Sequence, residues 1–122
     1  MTITDRPQAG WIVMHLTGEL YYGTVELFWD HLQALLASGL RRIALELSAL
    51  TFCDSSGMAC FIRAHRAIRP AGGQLILLRP TVYLQRRLTI AGLDAFVPSV
   101  QELSGPEGPT EPEALAGPGV PA

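Results

Sequence analysis

The residues of this chain best suited to chemistry lie in the run Asp54-Ser55-Ser56-Gly57, where two hydroxyl groups follow a carboxylate. An apolar stretch ending at Cys53 precedes this run and a helical pattern follows it, which predicts a strand's end leading straight into a helix. Asp and Ser are favoured at helix starts because their side-chain oxygens accept backbone N–H groups that the first turn leaves without a partner. The run therefore predicts a serine hydroxyl at a helix N-terminus, either as a helix cap or as a reactive group.

Gly57 adds a structural expectation to this helix start. A glycine within a helix costs about 1 kcal/mol relative to alanine, so its presence in the first turn calls for a reason. Close approach of another backbone segment is such a reason, because glycine has no Cβ to obstruct it. We therefore expect the first turn of this helix to pack tightly against a neighbouring strand.

An enzyme with a nucleophilic serine is disfavoured by the surrounding sequence. The glycine two positions before the serine of a G-x-S-x-G turn is missing. His65 is the nearest candidate base, but ten residues along the same helix place it about 15 Å from Ser55, beyond hydrogen-bond reach. We predict that the chain is not an enzyme and has no catalytic residue.

The sequence also predicts no metal site and no cofactor. Three histidines fall in different predicted elements without an H-x-x-H or H-E-x-x-H spacing: His15, His31 and His65. Cys53 and Cys60 are seven residues apart, which matches neither a C-x-x-C redox pair nor a zinc spacing. We expect both cysteines to be reduced, buried thiols.

Composition and charge restrict the class of protein. The chain has 122 residues, of which 48% are hydrophobic, and its 9 basic and 11 acidic residues give a formal charge of −2. Nucleic acid and anionic membranes are therefore disfavoured as partners. We find neither a signal-peptide pattern nor an apolar run of about 18 residues, so a cytoplasmic location is expected. Residues 1–103 are predicted to form one domain, and residues 104–122, rich in Pro, Gly, Glu and Ala, a disordered tail.

The pattern of apolar residues predicts an α/β fold with a mixed β-sheet and helices packed mainly on one face. A hairpin should open the chain, and parallel strands should alternate with helices after it. The predicted elements are strands Thr2–Thr4 and Trp11–Leu16, helix Thr24–Ser38, strand Arg42–Leu47, helix Ser55–Arg69, strand Gln74–Leu78, a helix from Pro80 to Gly92, and a short strand Phe96–Val97.

The helix that begins at Ser55 should have two distinct faces. At about 100° per residue, one stripe faces the sheet and comprises Gly57, Cys60, Phe61, Ala64 and Ile68. The opposite stripe comprises Ser55, Ala59, Ile62 and Arg66. Ile62, with Met58 beside it, predicts a small exposed apolar patch next to the serine hydroxyl, a surface on which a partner could dock.

The segment Leu45–Met58 resembles the characteristic region of STAS-domain anti-sigma-factor antagonists, in which an acidic residue, a phosphorylated serine, a small residue and a glycine open a helix. Leu16–Leu20 resembles the first strand and following turn of that family, and Ala91–Phe96 resembles its closing segment. The resemblance covers about residues 8 to 100. It implies a single STAS-like domain.

The resemblance also implies a function in bacterial signalling. The partner would be an anti-sigma factor with serine kinase activity, which would phosphorylate Ser55, while catalysis would belong to the partner. One position differs from the family, because Tyr21 follows the Gly-Glu-Leu triplet where an acidic residue is common. The alternative is a non-phosphorylated STAS scaffold or a subunit docking on an ATPase of a lipid-transport ABC system. The partner-binding residues implied are Glu19, Tyr21, Asp54, Ser56, Gly57, Met58, Ala59, Ile62 and Arg66.

Overall fold

The computed structural model describes residues 1–103, and the predicted disorder of residues 104–122 lies outside the described residues. Six strands form one mixed sheet in the order β1-β2-β3-β5-β6, and β4 pairs with β2. The fold class predicted from the sequence is confirmed. The elements are β1 (Thr2–Gln8), β2 (Trp11–Leu20), α1 (Val25–Ala37), β3 (Arg42–Glu46), β4 (Leu50–Cys53), α2 (Ser55–Ile68), β5 (Gln74–Leu78), α3 (Val82–Ile90) and β6 (Ser99–Val100).

The N-terminal hairpin is longer than predicted. Strand β1 continues through Pro7 to Gln8 and pairs antiparallel with β2 over its whole length. Proline is tolerated there because β1 is an edge strand, where the missing N–H can face solvent. Ala9 and Gly10 have φ angles of 54° and 86°, the left-handed conformation that two-residue hairpin turns require.

Strand β2 has two parallel partners, and the sequence analysis missed one of them. Its first half pairs with β3. Its last three residues, Gly18 to Leu20, pair with β4, and the register of this pairing shifts by one residue between Gly18 and Glu19. Gly18 has a φ of 107°, which favours glycine and accommodates the irregularity. Strand β4 is only four residues long, and its pairing places Cys53 beside Leu20 immediately before α2.

The main core lies between the sheet and the three helices. The predicted sheet-facing stripe of α2 is confirmed, because all five of its residues are buried. Phe28 of α1 is also buried and contacts Phe61 edge to face, with ring centres 6.5 Å apart. Trp29 is only partly buried. Its ring centre lies 3.8 Å from the Arg63 guanidinium, and this contact links α1 to α2 at the surface.

The last third of the described chain differs from prediction in two places. Helix α3 begins at Val82 rather than Pro80, because the Thr81 hydroxyl accepts the Leu84 N–H at 3.1 Å and caps the helix there. The last strand is Ser99–Val100 rather than Phe96–Val97. A 3₁₀ turn over Leu93–Ala95 delays the strand and leaves Phe96 exposed.

Glu46, at the end of β3, is the one buried charged residue in the described part of the chain. Its carboxylate accepts hydrogen bonds from the Ser48 backbone N–H and hydroxyl and forms an ion pair with Arg79 at 2.7 Å. Burial alone would raise the pKa of Glu46, but these hydrogen bonds and the Arg79 charge outweigh it and lower the pKa below 4.5. The network ties the end of β3 to the end of β5.

Candidate functional site

Asp54 builds the start of helix α2. Its extended backbone (φ −91°, ψ −173°) turns the chain from β4 into the helix, and its Oδ1 accepts the Gly57 N–H at 2.9 Å. The Asp54 carbonyl accepts the Met58 N–H at 3.0 Å, and the Asp54 N–H donates to the Leu20 carbonyl at 3.3 Å. The predicted capping function of this motif is therefore confirmed, with Asp54 as the cap.

Ser55 is the first residue of α2 and is exposed. Its hydroxyl forms no hydrogen bond with any residue of the described part of the chain. The N–H groups of Ser55 and Ser56 have no acceptor within the helix, since the first turn precedes the intrahelical bonds. These donors and the positive end of the helix dipole favour negative charge at this point. Ser56 is half-buried.

Gly57 lies where the sequence predicted a close approach of backbone. A Cβ added at this position would come 2.5 Å from the Leu20 carbonyl oxygen and 2.8 Å from Cys53 Sγ. Any larger side chain would therefore push α2 away from the ends of β2 and β4. Gly57 is buried, so its contribution to the site is to set the position of the helix start against the sheet.

The loop that follows β2 is held in one shape by Thr24. The Thr24 hydroxyl donates to the Glu19 carbonyl at 2.8 Å and accepts the Tyr21 N–H at 3.1 Å. Tyr21 is half-buried, and its ring covers Gly23 closely enough that a Cβ there would overlap it. Tyr22 packs edge to face on Tyr21 and is 76% exposed. The loop thus presents the exposed Tyr22 two residues after Leu20, whose carbonyl accepts the Asp54 N–H immediately before α2.

Phe52 was missed by the sequence analysis. It is paired in register with Glu19 across β4 and β2, lies three residues before Ser55, and is 42% exposed. The signal was present in the sequence as a large aromatic residue directly before Cys53, but its exposure depends on which face of β4 it occupies. Glu19 is also exposed, so a carboxylate and an aromatic ring lie on adjacent strands beside the helix start.

The exposed stripe along α2 is only partly as predicted. Ala59 and Arg66 are exposed, but Ile62 is half-buried and packs against the main core. Met58 is 9% exposed, so the prediction of an exposed apolar patch formed by Met58 and Ile62 is wrong. The physical reason is that α2 packs closely against the sheet and α1, so that Met58 and Ile62 at the margins of the predicted stripe contact the main core. Phe52, three residues before Ser55, is an exposed apolar residue instead, and Tyr22 is exposed in the loop after β2.

Neither cysteine is available as a nucleophile at neutral pH. Both are free and buried, as predicted. Burial, reinforced by the Asp54 charge, raises the pKa of the Cys53 thiol to about 12. Burial likewise raises the pKa of Cys60, so both remain protonated thiols.

The histidines are not brought together by the fold. His31 pairs with Asp5 at 2.7 Å on the hairpin side of α1. Burial, with the charges of Arg69 and Arg66, lowers the pKa of His65. Residues 1–103 contain no group of three or more potential metal-ligating side chains. None of the helices in this range is long and apolar enough to cross a membrane.

A six-stranded mixed sheet with three helices on one face, and an exposed serine beginning the second helix, defines a small α/β domain of the STAS type. The STAS domain family model matches residues 2–104, and the chain belongs to that family. An anti-sigma F factor antagonist from Lysinibacillus sphaericus is 28% identical over 92 residues, which cover 75% of this chain and 79% of the relative.

Solved structures show the same fold. The Bacillus cell fate determinant SpoIIAA in its phosphorylated form superposes with a TM-score of 0.64 at 23% identity, covering 83% of this chain and 93% of that chain. An anti-sigma factor antagonist from Mycobacterium paratuberculosis gives a TM-score of 0.74 at 20% identity, with coverages of 84% and 86%. At these identities the likeness concerns the fold alone.

Proposed function

We propose that this protein is an anti-sigma-factor antagonist, which binds an anti-sigma factor with serine kinase activity in the cytoplasm and is released when that kinase phosphorylates Ser55. The observation that carries the proposal is the exposed Ser55 at the first position of a helix whose start is fixed by Asp54 and Gly57. The relative named as an anti-sigma F factor antagonist supports the partner class. The phosphorylated form of SpoIIAA is a precedent for phosphorylation of the same fold.

In the proposed reaction this chain supplies only the hydroxyl. The Ser55 Oγ attacks the γ-phosphorus of ATP, the bond from that phosphorus to the ADP oxygen breaks, and the serine proton passes to a base of the kinase. A rigid position for the hydroxyl favours the in-line geometry, because less orientational entropy is lost on reaching it. The cap of α2 and the close packing at Gly57 supply this rigidity.

Phosphorylation should leave the domain folded and act at the interface. The unpaired N–H groups of Ser55 and Ser56 and the helix dipole stabilise a phosphate at this position. The phosphate also adds a charge of about −1.5 to −2 beside Asp54 and near Glu19. A partner that fits this already acidic surface closely would meet both repulsion and crowding. A loss of about 1.4 kcal/mol weakens binding tenfold, so a few kcal/mol are enough to release the partner.

The surface proposed to contact the partner consists of the exposed and half-exposed residues around Ser55. Phe52 and Tyr22 provide its apolar area, and Glu19 provides charge. Ala59 and Arg66 extend it along α2. Gly57 and Met58, which the sequence analysis included, are buried and would act by positioning the helix rather than by direct contact.

The direct test is phosphorylation of Ser55 by the anti-sigma factor recovered with the protein. The full chain, Ser55→Ala and Ser56→Ala are incubated with that partner, ATP and Mg²⁺, and their intact masses are measured. We expect one phosphoryl group on the wild type and on Ser56→Ala, and none on Ser55→Ala. Phosphorylation of Ser55→Ala at the wild-type rate would refute the assignment of the site.

A binding measurement tests the switch separately from the site. Ser55→Ala should bind the partner as the wild type does, while Ser55→Asp should bind at least tenfold more weakly because it places a carboxylate at the helix start. Wild-type affinity for Ser55→Asp would argue against repulsion at this interface.

The alternative function is that of a STAS scaffold or of a subunit docking on the ATPase of a lipid-transport ABC system. Tyr21, in place of the acidic residue common in the antagonists, is the observation that favours it. The same phosphorylation experiment separates the two functions. A pull-down that recovers a transporter ATPase, together with no phosphorylation of the wild type, would favour the scaffold.

A further inference from the structure

Helix α3, which connects β5 to β6, presents two aliphatic side chains to solvent. Ile90 is 84% exposed and Val82 is 75% exposed, which makes them the most exposed large aliphatic residues in the range 1–103. The opposite face of the helix is buried through Leu84 and Leu88. Single exposed apolar residues are ordinary on a protein surface, so the exposure of these two residues does not by itself indicate a binding site.

Both residues line one concave groove. This α3 groove has a volume of about 370 Å³ and runs along the outer side of the helix, with Pro80 before α3 and Gln101 after β6 also in its wall. Val82 and Ile90 are eight residues apart, which corresponds to about 12 Å, or about two turns of helix. A groove of this volume with mostly apolar walls and a few polar groups is typical of a binding site.

Arg86 supplies the charge of the α3 groove. It lies about one turn from Val82 and about one turn from Ile90, and it is exposed. It forms no hydrogen bond or ion pair with any residue from 1 to 103. The closest carboxylates that follow it in the described chain, Asp94 and Glu102, are exposed and do not pair with it. An apolar groove with an unpaired cation is complementary to an apolar surface that carries carboxylates.

A second copy of this chain is a poor match for the α3 groove. Arg86 is at the middle of the stripe from Val82 to Ile90, so a two-fold axis through this stripe would bring the Arg86 guanidinium groups of both copies together. Like charges placed against each other in an apolar contact oppose association. A neutral apolar ligand would also cover Arg86 without giving it a partner, which carries a desolvation cost. The chemistry of the groove therefore favours an acidic amphipathic partner.

We propose that the α3 groove binds an acidic amphipathic helix of a partner protein, whose apolar side chains contact Val82 and Ile90 while a carboxylate between them pairs with Arg86. Amphipathic helices dock into apolar grooves through residues spaced three or four positions apart, and the length of this stripe matches that spacing. Strand β6 lies three strand positions from β2, against which α2 starts, so about 14 Å separates the two strands. The α3 groove is thus a second docking surface, which does not depend on the function proposed for Ser55.

Two synthetic peptides of opposite charge test the groove in the full chain. The first is a helix-forming peptide with leucines one helical turn apart and glutamates between them, and the second has lysine in place of every glutamate. Binding is measured by the amide chemical shifts of the isotopically labelled protein. The formal charge of the chain is −2, so non-specific attraction would favour the lysine peptide. We expect the opposite, because Arg86 pairs with a carboxylate: the glutamate peptide should bind about tenfold more tightly and shift the amides of Val82–Ile90.

Substitutions in the groove separate its charged and apolar contributions. Arg86→Glu should reverse the preference, so that the lysine peptide binds more tightly, whereas Val82→Gln and Ile90→Gln should each weaken binding of the glutamate peptide several-fold. Leu27→Gln, which replaces an exposed leucine of α1, is the matched control and should leave binding unchanged. No binding of the glutamate peptide, equal affinity for the two peptides, or shifts confined to residues outside the groove would overturn the proposal. Shifts of the α3 amides with protein concentration in the absence of peptide would also overturn it, because a second copy would then occupy the groove.

Discussion

The replacement Gly57→Ala tests how the start of α2 is positioned. Helix propensity alone would make alanine more stable than glycine by about 1 kcal/mol. The structure predicts the opposite sign, because the new Cβ would lie 2.5 Å from the Leu20 carbonyl oxygen and 2.8 Å from Cys53 Sγ. The first of these is a backbone atom of a paired strand, which cannot move aside as a flexible side chain can.

The expected size of the effect follows from these two opposing contributions. Inserting a methyl group into a packed site typically costs about 1–3 kcal/mol. Because the obstructing Leu20 oxygen is a backbone atom, the cost should lie in the upper part of this range. After the gain of about 1 kcal/mol in propensity, Gly57→Ala should lower the free energy of unfolding by about 1–2 kcal/mol. Because the helix start must shift, binding to the partner and phosphorylation of Ser55 should weaken as well.

Chemical denaturation of Gly57→Ala and of Ala59→Gly measures this effect against a matched control. Ala59 is exposed on the same helix, so Ala59→Gly should cost about 1 kcal/mol through propensity alone. The two substitutions exchange the same residue types in opposite directions, yet both should destabilise the protein. A Gly57→Ala protein as stable as the wild type, or more stable, would refute the close packing of α2 on β2.

Three further predictions concern the residues around this helix start and the end of β3. Asp54→Ala should lower the free energy of unfolding by about 1 kcal/mol, because the Gly57 N–H loses its acceptor. The free energy of unfolding of Asp54→Asn should stay near that of the wild type, since Asn also caps helices. Urea denaturation of both variants distinguishes capping from charge. The pKa of Glu46 is lowered in the folded state, so its stabilisation is present above pH 4.5 and is lost as the pH falls through the folded pKa. Glu46→Gln should therefore show a shallower loss of stability on acidification than the wild type, and equal slopes would contradict the network with Arg79. Cys53 should react with a thiol reagent at pH 8 only after unfolding, because burial holds its pKa near 12; rapid reaction of the native protein would contradict its burial.

The helices and their faces could be read from the sequence because the forces that specify them are local. The spacing of apolar residues fixed the buried stripe of α2, and the Asp54 cap acts within one turn of the helix. The glycine at position 57 indicated a close approach, although the sequence did not identify Leu20 as the neighbour. Boundaries near Pro80 and Phe96 were predicted wrongly, since the Thr81 cap and a 3₁₀ turn shifted them by a few residues.

Only the tertiary structure decided how segments distant in the chain are arranged relative to one another. The division of β2 between β3 and β4 depends on pairing across more than 25 residues and on the irregularity at Gly18. That pairing determines that Phe52 is exposed beside Glu19, and packing of α2 against the sheet and α1 buries Met58. The sequence by itself determined that a serine would begin a capped helix, because capping is a contact between residues three positions apart. The surface around that serine was decided by the fold, because burial depends on which strands and helices come together.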